Sequence, residues 1–195
     1  MTKRTAKIER KTKETQIHLD LCLEGGAYKI QTGVGFLDHM LDHVARHGQF
    51  GLNIIASGDH QVDDHHTVED VGIVLGQALD KALGDKKGIE RFGFASVPMD
   101  EALARVSIDL SGRSVLVFDA AFIEPGGKIG SFDTALIREF LGALVSHGRF
   151  NCHVEAIRGD NDHHLAEAIF KALGRALRQA VQITGQDVPS TKGIL

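Results

Sequence analysis

The chain has 195 residues, 43% of them hydrophobic and 25% charged, with a formal net charge of −4. That length suits one domain or two tightly packed halves, and the acidic balance gives no general case for nucleic-acid or membrane-surface binding. No apolar run approaches the roughly 20 residues of a membrane span, and Met1 leads straight into charge rather than a signal peptide, so the expected location is cytoplasmic or, in a plant, organellar after processing.

The opening stretch KRTAKIERKTK is locally basic. It reads as a solvated strand or arm, or else as a contact to an anionic substrate or a neighbouring subunit. QIHLDLCL and AYKIQT alternate apolar and polar residues as half-buried strands do. A helix is expected around Phe36 to His47, carrying His39, His43 and His47, with Gly48 as its left-handed C-cap. GLNIIASG follows as a strand, and DHHTVEDVGIVLGQAL opens a long helix. GDKKGIERFG is a polar link. ARVSIDL and SVLVFDAAF then read as strands, and Thr134 to His147 as a helix ending at Gly148. NCHVEAIRG is the next strand. The last helix, from DHH at 162–164, shows an apolar face of Leu165, Ile169, Phe170, Leu173 and Leu177. VPSTKGIL closes as a loop. Cys22 and Cys152 form no CxxC pair and are expected as buried free thiols in a reducing compartment.

The order repeats. HGQF at 47–50 returns as HGRF at 147–150, and DHH at 64–66 returns at 162–164. Two copies are too few for a solenoid and predict an internally duplicated, pseudo-twofold α/β (α+β) fold, with half-repeats at 1–90 and 91–195 forming one compact unit.

Eleven histidines are the compositional oddity. His65 and Glu69, four apart on a helix, share a face, while His66 points about 100° away. One HHxxE turn therefore offers a His–Glu pair to one metal ion and a lone histidine to another. His163, Glu167 and His164 do the same in the second copy. If the copies cross, within a subunit or between subunits, each ion receives a pair from one copy and a lone histidine from the other. The repeat aligns His39 with Glu139 as the fourth ligand of each set. Nitrogen and oxygen donors without thiolate suit Mn²⁺ or Fe²⁺, with Zn²⁺ also accommodated, and four protein ligands leave positions open for water or substrate. A single HH pair is commonly a surface feature; its recurrence in register favours ligation. His47 and His147 also read simply as cations near a helix C-terminus. Beyond the ligands, Arg91, Arg113, Lys171 and Lys192 are the basic positions to watch, and PSTKG combines hydroxyls and an ammonium suited to wrapping a phosphate.

FLDHMLDH, DDHHTVEDV, RFGF…PMDEAL, DLSGR, NDHHLAEAIFKALGRALRQA and PSTKG together resemble the imidazoleglycerol-phosphate dehydratases of histidine biosynthesis, over about residues 5 to 195. One departure is Glu139, where many members carry histidine. The resemblance implies two four-stranded sheets sandwiching a four-helix layer. It also implies a two-manganese site at subunit interfaces and a homo-oligomer of twenty-four chains. The implied reaction converts D-erythro-imidazole-glycerol phosphate to imidazole-acetol phosphate by loss of water, the ring binding both ions as imidazolate and passing through a diazafulvene-like intermediate. Carried over by position, the metal ligands would be His39, His65, His66, Glu69, Glu139, His163, His164 and Glu167. Arg91, Arg113, Lys171, Ser190 and Lys192 would hold the phosphate, with Thr191 beside them. Glu14 is the implied proton carrier, with Glu69 and Glu167 as competing bases, and His43, His47 and Lys171 line the same region. The rival readings are a dinuclear metal hydrolase, which would lean on bridging carboxylates, and a closed structural metal site, which would not need the basic cluster.

Overall fold

A computed structural model describes residues 3–123 and 126–195. In chain order the first half contains β1 (Thr5–Lys11), β2 (Gln16–Cys22), β3 (Tyr28–Gln31), α1 (Gly35–Gly48), β4 (Gly51–Ser57) and α2 (His65–Leu83). The second contains β5 (Phe92–Met99), β6 (Ala102–Asp109), β7 (Val115–Asp119), the short pair β8 (Lys128–Ile129) and β9 (Phe132–Asp133), α3 (Ala135–Gly148), β10 (Asn151–Arg158) and α4 (Asp162–Ala180).

The two four-stranded sheets have the same topology. One is ordered β1-β2-β4-β3 and the other β5-β6-β10-β7, each with its last strand parallel to its neighbour and the others antiparallel. Alternation drives both: Ile17, Leu19 and Leu21 of β2 turn inward, as do Ala102, Ala104, Val106 and Ile108 of β6. The helices fill the space between. α2 packs on β1 and β2, and α4 on β5 and β6, each with its own half's sheet; across the middle α2 meets α3 and α1 meets α4. The halves are thus interlocked, because each DHH helix lies against the preceding-type helix of the other half. The expected apolar face of α4 is wholly buried, from Leu165 to Leu177.

Three sequence expectations need correction. Gly48 and Gly148 are the last residues of their helices, and the left-handed position falls on Gln49 (φ 55°) and Arg149 (φ 53°). Glycine is required for space instead: a Cβ on Gly48 would stand 2.3 Å from Phe50 Cε2 and 3.1 Å from Gly174 O. Cys152 is buried, its thiol pushed up to about 12 by desolvation, but Cys22 is only half-buried. The polar link ends inside β5, and a bridge between Ile89 and Ile183 ties it to the C-terminal segment.

The interlocking depends on close backbone approach. A Cβ at Gly76 would lie 2.6 Å from Leu144 O, 2.7 Å from Gly148 N and 3.0 Å from His147 C, all backbone atoms of α3. Gly174 meets Val44 O at 2.8 Å and Gly48 N at 3.1 Å in the matching place on α1. Gly76→Ala is expected to push α2 from α3 and destabilise the fold by roughly 1–3 kcal/mol, as overpacking does. Chemical denaturation of the variant beside the parent measures it, and an unchanged midpoint would show that the helices yield freely there.

Candidate active site

Both DHH helices start in a way that aims their histidines. Asn161 caps α4 by accepting hydrogen bonds from the backbone N–H groups of His163 (2.9 Å) and His164 (3.2 Å). Asp63, its counterpart before α2, accepts from the His65 N–H at 2.8 Å. The adjacent rings then diverge: His65 and His66 are 6.1 Å apart at 88°, and His163 and His164 are 6.4 Å apart at 86°.

Where α1 crosses α4, four side chains converge on Glu167. His39 Nε2 lies 3.0 Å and His163 Nε2 3.1 Å from its Oε1, and the Lys171 ammonium donates to Oε2 at 2.5 Å. His43 Nε2 is 3.3 Å from Oε2 but out of line for a hydrogen bond, and is a buried nitrogen with no partner. Burial works against the charge on Glu167, yet the Lys171 ammonium and the His39 hydrogen bond outweigh it and hold the carboxyl down at about 2. Burial drives His43 down to about 4, with His39 and Lys171 adding to the effect and Glu167 opposing it. Both groups therefore keep their metal-competent forms, carboxylate and neutral imidazole, near neutrality. Ligand atoms of His39, His43 and Glu167 all lie within 4.8 Å of one another. Phe36 sets its edge against His163 at 5.3 Å and packs on Phe132 at 5.0 Å, walling one side.

The pseudo-equivalent place, where α2 crosses α3, brings His65 and Glu139 onto one cavity of about 570 Å³, together with Asp63, Asp64 and Lys128. Glu69 Oε2 stands 4.0 Å from His65 Nε2. Of the expected ligands, His39, His163 and Glu167 thus meet in one group, while in the other His65 shares a cavity with Glu139 and stands 4.0 Å from Glu69. His66 and His164 belong to neither group. His66 faces Asp59, with Nδ1 3.0 Å from Oδ2, and the exposed Glu14, whose Oε2 is 4.0 Å away. His164 Nδ1 lies 2.8 Å from Glu101 Oε2. These hydrogen bonds are the first cause of the raised pKa of each histidine.

A third locus gathers the basic residues. Arg91, Arg113, Ser190, Thr191 and Lys192 line a cavity of about 300 Å³ with Ile194 and Leu195. Arg91 is fixed there: it donates to Asp109 at 2.7 and 3.2 Å and to Pro189 O at 2.8 Å, with its backbone at φ 71°. Arg113 is mostly exposed and 3.9 Å from Asp109, so its guanidinium remains available to an anion. Lys171 does not line this cavity; it is committed to Glu167. His47 ends α1 beside Arg175, Arg178 and Gln179. Burial, then Lys171 and Arg175, lower its pKa, which works against its reading as a C-terminal cation. His147 instead donates from Nδ1 to Ala143 O at 3.1 Å. Sequence reasoning missed Asp59, Glu101, Asp109 and Phe36. Phe36, in FLDHMLDH, Asp109, in DLSGR, and Glu101, in PMDEAL, lie in motifs that carry the family resemblance, whereas Asp59 lies in none.

The chain matches the family described as imidazoleglycerol-phosphate dehydratase over residues 32–177. It is 55% identical to the imidazoleglycerol-phosphate dehydratase of Ruegeria pomeroyi over 196 aligned residues, covering 98% of this chain and 100% of that one. It belongs to the imidazoleglycerol-phosphate dehydratase family. The dehydratase of Desulforudis audaxviator is 56% identical over 98% of both chains. The crystal structure of imidazoleglycerol-phosphate dehydratase from Staphylococcus aureus superimposes with a TM-score of 0.84 at 44% identity, over 92% of this chain and 99% of that one. Pyrococcus furiosus IGPD gives 0.83 at 38%, over 96% and 100%. As a member of this dehydratase family the chain is an enzyme, a hydro-lyase of histidine biosynthesis acting on a small molecule. No helix among the described residues is long and apolar enough to cross a membrane.

The separation of the basic cavity from the histidine clusters makes a clear expectation. Arg113→Ala or Lys192→Ala should raise KM for the phosphorylated substrate about tenfold or more, as loss of a charge-assisted hydrogen bond of ~1.5–3 kcal/mol would, while leaving uptake of added Mn²⁺ the same as the parent's. Steady-state kinetics with metal analysis decide it; parental KM in both variants would remove the cavity from substrate binding.

Proposed function

We propose that the chain dehydrates D-erythro-imidazole-glycerol phosphate to imidazole-acetol phosphate at a site holding two Mn²⁺ ions, with Fe²⁺ or Zn²⁺ as substitutes, and that it works in the cytoplasm as a homo-oligomer of twenty-four subunits. Residues 1–90 and 91–195 are read as two half-repeats of one catalytic unit. The observation that carries the metal reading is the donor set around Glu167. Three imidazoles and an ammonium crowd one buried carboxylate that stays ionised, and one of those imidazoles has a buried nitrogen with no hydrogen-bond partner. The donors are all nitrogen and oxygen, as Mn²⁺ and Fe²⁺ prefer.

His39, His163 and Glu167 would hold one ion, and His65, Glu69 and Glu139 the other. His66 and His164, which face away from both groups in their own chain, would complete the sites of neighbouring subunits. Ions held there would supply Lewis acidity to the substrate imidazole, stabilising the charge that develops as its side chain loses a proton.

The chain's own residues do the rest. Arg91, preset by Asp109, and Arg113, Ser190, Thr191 and Lys192 anchor the phosphate. His43, His47 and Lys171 line the ring's surroundings along α1 and α4. Glu167 is a poor base, because its carboxyl lies near 2 and is already engaged. Glu69 is more exposed, but in this reading it serves as a ligand. Glu14 accepts no hydrogen bond through its carboxylate among the described residues and is half exposed. It takes the carbon-bound proton and returns it to the departing hydroxyl, so that water leaves and the enol left behind becomes the ketone.

Reconstitution with Mn²⁺ tests the reading. Metal analysis should give two ions per chain. Glu139→Ala should lose one ion and all turnover, and Glu139→His should regain both, since histidine offers a ligand nitrogen at the same register. A Glu139→Ala enzyme that is active with two ions would overturn the assignment.

A further inference from the structure

The two histidines that stand apart from the clusters have a common arrangement. Each presents Nδ1 to a carboxylate: His66 to both oxygens of Asp59, at 3.0 and 3.2 Å, and His164 to Glu101 at 2.8 Å. An ionised carboxylate only accepts hydrogen bonds. In the neutral form of both rings the proton therefore sits on Nδ1, and Nε2 carries the free lone pair. Neither Nε2 makes a hydrogen bond among the described residues; the nearest carboxylate to His164 Nε2 is Asp100, at 3.8 Å. Both rings are partly exposed, His66 at 34% and His164 at 28%. A fixed tautomer, a fixed ring plane and an Nε2 free of hydrogen bonds in its own chain are what a histidine offered to a metal on another chain requires.

The two carboxylates are not related by the duplication. In the first hairpin Lys11 pairs with Gln16, and in the second Pro98 pairs with Leu103 at the corresponding register of β5 and β6. The third residue after Lys11 is Glu14, and the third after Pro98 is Glu101. Glu14 and Glu101 are thus equivalent turn residues, and each stands over the lone histidine of its own half. They differ in engagement. Glu101 holds His164 at 2.8 Å, whereas Glu14 stays 4.0 Å from His66, because Asp59, from the segment after β4, already occupies that Nδ1.

We propose that Asp59 and Glu101 are positioning residues that lock His66 and His164 as Nε2 ligands, and that Asp59 releases Glu14, the hairpin counterpart of Glu101, for proton transfer. The duplicated fold thus uses two equivalent turn glutamates for different tasks. The first-half turn is itself held for this: Thr15 Oγ1 donates to Asp70, Arg10 Nε donates to the same carboxylate at 2.9 Å, and the Glu14 N–H is tied to Thr12 Oγ1 at 3.1 Å. Glu14 keeps its backbone fixed and its carboxylate free.

The inference rests on the ligand assignment proposed above, so the experiment separates the two. Mn²⁺ affinity of the metal-stripped full chain is measured by electron paramagnetic resonance titration, for Asp59→Ala, Asp59→Asn, Glu101→Ala, Glu101→Gln, Glu14→Gln, His66→Ala and His164→Ala, with circular dichroism checking the fold. Asp59→Ala and Glu101→Ala should each weaken one of two Mn²⁺ equivalents by about 10- to 100-fold. The amide variants, whose carbonyl still accepts from Nδ1–H, should recover most of it. Glu14→Gln should bind both ions as the parent does and lose turnover. If the histidine variants lose an ion but Asp59→Ala and Glu101→Ala do not, the positioning proposal is overturned and the ligand assignment stands. If the histidine variants also bind two ions with parental affinity, the ligand assignment itself fails. Should the alanine variants not fold, amide variants weakened as severely as a histidine deletion would overturn the tautomer argument.

Discussion

The crossing of helices from opposite halves is the constraint on which the rest depends. α4 can bring Glu167 to His39 only because Gly174 lets its backbone press against Val44 and Gly48 of α1, and α2 reaches α3 in the same way through Gly76. At these separations a single methyl group would meet backbone atoms, which move only if whole helices move. The cost of that intimacy is offset by apolar burial within the helix layer, where Phe140 of α3 and Phe170 of α4 are fully buried with their rings 5.6 Å apart.

From this crossing follows the electrostatics of the site. Three imidazoles around one carboxylate would be loosely placed on a surface. Here Glu167 is nearly buried, and the groups that stabilise its charge, Lys171 above all, come from its own helix at i+4 and from α1. Burial alone would push the carboxyl up, and the ammonium more than reverses that. The second cluster, on α2 and α3, lacks such a lysine on its DHH helix, since Ile73 stands at the matching place, and its His65 and Glu139 line a cavity of about 570 Å³ that Lys128 also lines. The duplicated scaffold thus offers two similar sets of donors in unlike surroundings.

Duplication also explains why neither half is self-sufficient. Each sheet is covered by its own DHH helix, but His39 of the first half meets His163 and Glu167 of the second, and Glu139 of the second half shares a cavity with His65 of the first. His66 and His164 are turned outward by helix geometry, because consecutive residues on a helix cannot share a face.

The sequence by itself determined a good deal. Repeated DHHxxE in register, the alignment of His39 with Glu139 and the alternation of the strands were all legible, because they depend only on local periodicity and on likeness between two stretches of one chain. The PSTKG segment and the two arginines could be nominated from residue type, and the fold brings them to one cavity. Tertiary structure alone decided the rest. It showed that Lys171 serves Glu167 rather than the basic cavity, and that Gly48 and Gly148 are retained for contact rather than for a left-handed turn. It also joined Asp59 and Glu101 to the lone histidines. The reason is physical: each of these facts is a distance between segments far apart in the chain, fixed by how helices and sheets stack, and no local pattern of residue types encodes such a distance.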